Sequence, residues 1–382
     1  MKLGMFWCLV ISVSLSCIGH TQANSDSDSV QLQQLLQQLV HEERASSKLV
    51  GLGAIVVRGG QVSAPVVSGE RKVRSQVLLA AQDKWHIGSI TKSFTATMIA
   101  RLVESGQLSW QTTLVDVFPE VENIHPQWLA VTVEQLLTHT SGAPPNFSAA
   151  VSRKNPAEGA ERTQAREAAV LDVLKNQPAT APGKSFVYSN VGYTIAGVIA
   201  EKQSGLTWES LIRQEILEPL QLTSAGFGAP QDKNDPLGQP RGHRKLLGFK
   251  MAAGAQADNT PIVGPAGTLH LSLPDLARYG QTHLEGEQGR SSLLSADSFQ
   301  HLHRASLDDY AYGWVVKATK ELNAGPVLWH NGSNTMWYAM LAIIPKFDLV
   351  IAVTSNDGNI AAAEGSAWSI IEKILDAVKS SD

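Results

Sequence analysis

His86-Ile87-Gly88-Ser89-Ile90-Thr91-Lys92 is the stretch on which the reading turns. Ile90, Phe94, Met98 and Leu102 recur at helical spacing, which predicts a helix with Ser89 at its start and Gly88 just before it. At a helix N-terminus the free N–H groups and the dipole favour negative charge on a seryl oxygen. Three residues on, Lys92 comes round to the same side. Its amine can then hydrogen-bond Ser89 Oγ, and desolvation there lowers its pKa toward that of a usable base. A capping serine followed by a solvated lysine is the commonplace reading of S-x-x-K. Here the motif occurs once in 382 residues, and it falls where a helix begins.

Two further stretches have the same character. Tyr188-Ser189-Asn190 follows the turn signal Pro182-Gly183 and precedes an apolar helical run from about Val191 to Ala200. A free tyrosine has a pKa near ~10, and a neighbouring cation such as Lys92 lowers it toward a reachable phenolate. Asn190 offers a donor and an acceptor, suited to holding Lys92 and a substrate amide together. His330-Asn331-Gly332-Ser333 lies on a predicted strand after Val327-Leu328-Trp329. Gly332 lets a substrate lie close to the backbone, and the Ser333 N–H can form an oxyanion hole with that of Ser89. Taken singly, a half-buried tyrosine, a capping asparagine and a structural histidine explain these residues as well.

The framework around them comes from periodicity. Leu32, Leu35, Leu36, Leu39 and Val40 mark one face of a helix, after a polar leader from Asn24 to Ser29. Val50 to Val57 and Val62 to Val67 read as a strand pair around Gly59-Gly60. Met336 to Ile344 and Leu349 to Thr354 form a second pair around Pro345-Lys346-Phe347-Asp348. A closing helix carries Trp368, Ile371, Ile374, Leu375 and Val378 on one face. Between about Ile90 and Leu302 helical patterns dominate. The Pro/Gly-rich stretch from Gly226 to Gly264 reads as one long irregular loop, either roofing a cleft or idle on the surface. The expected organisation is α+β. An antiparallel sheet built from 24–89 and 303–382 is flanked by N- and C-terminal helices, with a mainly helical domain, 90–302, inserted.

Composition sets outer bounds. With 43% hydrophobic residues and a net charge of −4 without like-charge blocks, the chain gives no reason to expect nucleic acid as partner. No H-E-x-x-H or C-x-x-C occurs, so a structural zinc site is not expected, and acyl transfer on a serine needs no metal or organic cofactor. Residues 1–23 read as a signal peptide: Lys2, an apolar run from Leu3 to Ile18, and Thr21-Gln22-Ala23 before Asn24. The expectation is an exported chain, periplasmic or secreted, with no membrane span once cleaved. Both cysteines, Cys8 and Cys17, lie in this segment. A lipid anchor at Cys17 is the alternative, but Ser14-Leu15-Ser16 places serine where leucine is usual.

In this order and spacing, the three motifs resemble the serine β-lactamase and penicillin-binding superfamily. The resemblance is to the branch of class C β-lactamases, D-alanyl-D-alanine carboxypeptidases, D-aminopeptidases and related esterases. Leu136 to Gly142, Pro182-Gly183-Lys184, and Gly264-Pro265-Ala266-Gly267 with Asp275 to Arg278 add to it, so that it covers most of the chain from Gly51. It implies Ser89 as nucleophile, Lys92 and Tyr188 as the proton-transfer pair, and Asn190, His330, Gly332 and Ser333 around a small-molecule or peptide substrate. His139 reads as structural. His330 stands where the β-lactamases usually carry a lysine, and at a pKa of ~6.5 it is mostly neutral at pH 7. The substrate implied is therefore a D-amino-acid peptide or ester ahead of a β-lactam. A penicillin-binding or sensor module without turnover is the alternative. The chain lacks the G-x-S-x-G of α/β-hydrolases.

Overall fold

A computed structural model describes residues 16–246, 248–318 and 322–381. Most of the signal segment, Cys8 included, lies outside the described residues. The first helix, Ser16–Ser46, runs through 24–29, where a polar leader was expected. That stretch holds no Pro or Gly, and extending a helix already nucleated at Leu32–Val40 is cheap.

Among the described residues, twelve strands follow in chain order: β1 Gly51–Arg58, β2 Gln61–Val62, β3 Val66–Gly69, β4 Lys84–His86, β5 Gly226–Phe227, β6 His243–Leu246, β7 Phe249–Ala252, β8 Leu269–Ser272, β9 Val315–Ala318, β10 Pro326–Ser333, β11 Tyr338–Ile344 and β12 Leu349–Ser355. The main sheet has the order β2-β1-β12-β11-β10-β9, with β3 also on β1, and every pair is antiparallel. It is thus assembled from the two ends of the chain. The strand expected over Val62–Val67 is broken at 63–65, where Pro65 interrupts the ladder.

Successive side chains of a strand face opposite sides, and here both sides are core. Ala54, Val56, Met340, Ala342 and Ile351 pack under the terminal helices, with Leu36, Leu39, Ile371, Ile374 and Leu375. Ile55, Val57, Leu341, Ile343 and Val350 face the other way, into the larger core. The helix Leu273–Gly286 lies against that face, on β1, β11 and β12. A short sheet, β4-β8-β5, joins the strand before Ser89 to two strands from the middle of the chain.

The 226–264 stretch corrects the sequence reading. It contains β5 and an antiparallel hairpin, β6–β7, with Gly248 at φ +84° in the turn. Three of the four prolines and most of the glycines precede the hairpin, and the HRKL and FKMA segments are too short to show a strand period. His243 pins β6 from inside: its Nδ1 donates to Asn356 O at 2.6 Å and its Nε2 accepts from Val73 N at 3.0 Å. Among the described residues, no helix is long and apolar enough to cross a membrane.

Candidate active site

The Ser89 segment is held between backbones. Ser89 sits in a 3₁₀ turn, Gly88–Ile90, that leads into the helix Thr91–Glu104. Gly88 has φ +50°, a left-handed conformation that favours glycine. A Cβ on Gly332 would stand 2.5 Å from Ser89 N and collide with Ile87 O, and one on Gly88 would collide with Ser333 N. The missing side chain at Gly332 therefore serves the close approach of β10 to the serine turn. The sequence reading had given that space to a substrate. His86 braces the turn from below. Its Nδ1 accepts from Gly88 N at 3.1 Å, and its Nε2 faces Asp258 Oδ1 at 2.9 Å. The same Asp258 oxygen accepts from Asn334 Nδ2 at 2.8 Å, so one residue of the 226–264 stretch ties both flanks of the site together.

Lys92 is fully buried. Nζ stands 3.1 Å from Ser89 Oγ, 2.8 Å from Asn190 Oδ1 and 2.8 Å from Ala266 O. The last two are carbonyl oxygens, which only accept. In the neutral amine they claim both N–H groups, leaving the lone pair for the Ser89 hydroxyl. Burial pushes the amine well below the usual lysine range. The faces of Tyr188 and Tyr193, 4.7 and 5.6 Å away, favour the ammonium but do not reverse this.

Tyr188 differs from the sequence expectation. Burial drives its phenol well above the ordinary value, and a hydrogen bond with Ser89 offsets this only in part. Lys92, its own pKa lowered by burial, does not offset this, and Tyr188 is held as a phenol. His139 backs the ring at 4.4 Å between centroids. Its Nδ1 accepts from Ser189 N at 3.1 Å, and its carbonyl accepts from Val187 N at 2.8 Å. Its role here is to brace the tyrosine segment.

His330 is buried and neutral. Burial, aided by the neighbouring Lys92, brings its pKa down to about 3. Nδ1 donates to Asn331 O, so Nε2 is the acceptor, and it takes the Tyr310 hydroxyl at 3.1 Å. Both ring nitrogens are thus occupied, and the ring lies 6.4 Å from that of Tyr188.

The structure brings Ser89, Lys92, Tyr188, Asn190, His330, Gly332 and Ser333 into one region. Two pockets meet there, and both are lined by Ser89 and Ser333. One, of about 290 Å³, includes Asn146, Asn190, Arg244, Asp258 and Asn259. The other, of about 440 Å³, includes Phe186, Tyr188, Tyr310, Trp329 and His330. A larger groove, about 750 Å³, lies between the first helix and strands β1 and β2 and holds none of these side chains.

Sequence reasoning missed Tyr310, Asp258 and Arg166. Arg166 is fully buried, paired with Glu201 and, at 2.7 Å, with Glu209. It also donates to Ile262 O and Pro261 O, both at 3.1 Å, and so anchors the turn that carries Ala266 to Lys92. An arginine inside a helical pattern gives no sign of this in sequence. Tyr310 lies in the aromatic run Tyr310-Ala311-Tyr312-Gly313-Trp314, which is its one signal in the sequence.

Known proteins resemble this chain over most of its length. The chain is 23% identical over 340 residues to the protein flp of Staphylococcus aureus (strain N315), covering 85% of this chain and 63% of that protein. It therefore spans somewhat less than two thirds of that relative's length. It is 25% identical over 308 residues to penicillin-binding protein 4 of Amycolatopsis lactamdurans, covering 74% of each. Among solved structures, SurE superposes with a TM-score of 0.74 at 22% identity, over 93% of this chain and 77% of that one. An octameric penicillin-binding protein homologue from Pyrococcus abyssi gives 0.69 at 25% identity, over 88% and 75%. The family described as Beta-lactamase matches residues 33–375, nearly the whole chain. This chain belongs to the beta-lactamase family.

Proposed function

We propose that the protein is a serine hydrolase that cleaves an ester or peptide acyl bond through an acyl-enzyme on Ser89. Lys92 Nζ takes the Ser89 proton as Oγ attacks the carbonyl carbon. The backbone N–H groups of Ser89 and Ser333 receive the developing oxyanion. As the scissile bond breaks, its electron pair stays on the leaving atom, which takes the Tyr188 proton. Lys92 then returns a proton to Tyr188. Water attacks the ester by the same route in reverse and frees the acid.

The observation that carries this reading is the pair of carbonyl acceptors on Lys92, Asn190 Oδ1 and Ala266 O, each at 2.8 Å. They aim the amine's lone pair at Ser89. A solvated structural lysine would need no such arrangement. Turnover is favoured over a silent binding module because base, phenol and nucleophile are all in place. The test is hydrolysis of an activated p-nitrophenyl ester by the wild type and Ser89→Ala. A loss of about 10³-fold or more in kcat/KM is expected; full activity in the variant would contradict the proposal. We further propose that the chain is exported, on the strength of its first 23 residues.

A further inference from the structure

We infer that the group expelled from the acyl bond is an apolar alcohol or amine without a carboxylate, and that it occupies the aromatic pocket beside Tyr188. The inference rests on the hydrolase reading above and extends it to the substrate. Ser89 stands between two pockets of opposite character, and the position of the proton donor decides which fragment enters which. The leaving atom must reach the Tyr188 hydroxyl. Tyr188 lines the 440 Å³ pocket and not its neighbour. Asn190 lines only the other, so the acyl group lies on that polar side.

The leaving-group pocket is walled by Phe186, Tyr310, Val315, Trp329, Tyr338 and Ile360. None of its lining residues is a lysine or arginine. His330 lies within it as a neutral ring, both nitrogens already engaged by Asn331 O and the Tyr310 hydroxyl. The one charged side chain lining it is Asp308, an exposed carboxylate. A carboxylate on the departing group would lose its water against aromatic rings, find no cation, and face a like charge. An aryl or alkyl group would meet none of these penalties. The polar pocket differs here too: Arg244 lies on its wall, and exposed.

Two esters of one acyl group separate the cases: the 4-methylphenyl ester and the 4-carboxyphenyl ester, matched in size and different in charge. Each kcat/KM is divided by the ester's own alkaline hydrolysis rate. The expected ratio favours the methyl ester by tenfold or more. Val315→Lys, which adds a cation to the pocket wall, should narrow that ratio at least threefold, and Asp308→Asn should narrow it less. Equal corrected rates, or a preference for the carboxylate, would overturn the inference while leaving the hydrolase reading intact. If neither ester is cleaved and no burst of phenol is released, the hydrolase reading itself is contradicted.

Discussion

Asn190 Oδ1 accepts a hydrogen bond from Lys92 Nζ at 2.8 Å, joining the helix Asn190–Ser204 to the helix Thr91–Glu104 at the one buried lysine of the site. An amide serves here because it accepts without carrying charge. Asn190→Asp would place an anion against the amine and favour the ammonium, opposing the desolvation that now lowers it. Below its pKa Lys92 is protonated and cannot take the Ser89 proton, so activity falls on the acid side. The acid limb of the pH profile of kcat/KM should therefore move to higher pH in Asn190→Asp. An unmoved limb would mean that Lys92 is not the group titrating.

Gly332→Ala tests the packing of β10 on the serine turn. The added Cβ would collide with Ile87 O and crowd Ser89 N at 2.5 Å. Displacing a reacting group by about 1 Å costs on the order of 10²-fold in rate. A loss of that order in kcat, with the thermal unfolding midpoint changed far less, is the expected result.

Arg166→Ala should be a stability variant first. It leaves Glu201 and Glu209 buried without their shared cation and frees the carbonyls of Pro261 and Ile262. Breaking a buried pair of this kind costs about 3–5 kcal/mol. Urea denaturation reads it directly, and a change below about 1 kcal/mol would place the network outside the stabilising core.

How much of this was legible in the sequence follows from what each feature depends on. The sheet and its flanking helices could be read because Val50–Val57, Leu349–Thr354 and Ile371–Val378 are long, apolar and periodic. The motif residues were legible because S-x-x-K at a helix start is rare in this chain. The protonation state of Tyr188 was not, since it depends on burial that only the packed structure shows. Nor was the role of Ala266, which acts through a carbonyl that any residue would supply. Gly332 was singled out, but its reason lies in a backbone 240 or more positions earlier in the chain. The β6–β7 hairpin escaped because its strands have four residues each.

The buried histidines make a separate prediction. Burial brings the pKa of His270 down to about 4, against ~6.5 in an unfolded chain. Above pH ~6.5 both states are neutral there and the residue has no effect on the pH dependence. As pH falls from that value to about 4 the unfolded chain takes up a proton that the folded one refuses, and stability is lost. The difference in unfolding free energy between pH 7 and pH 4.5 should be smaller in His270→Gln than in the wild type. An equal difference would mean that the buried ring titrates normally.

The central claim is that Ser89 alone is activated as a nucleophile, by Lys92. Peptide mapping by mass spectrometry after treatment with a fluorophosphonate tests it most directly. The account predicts one adduct, on Ser89, absent from Ser89→Ala and formed much more slowly in Lys92→Ala. An adduct on another serine, or labelling of Ser89 at an unchanged rate without Lys92, would contradict it.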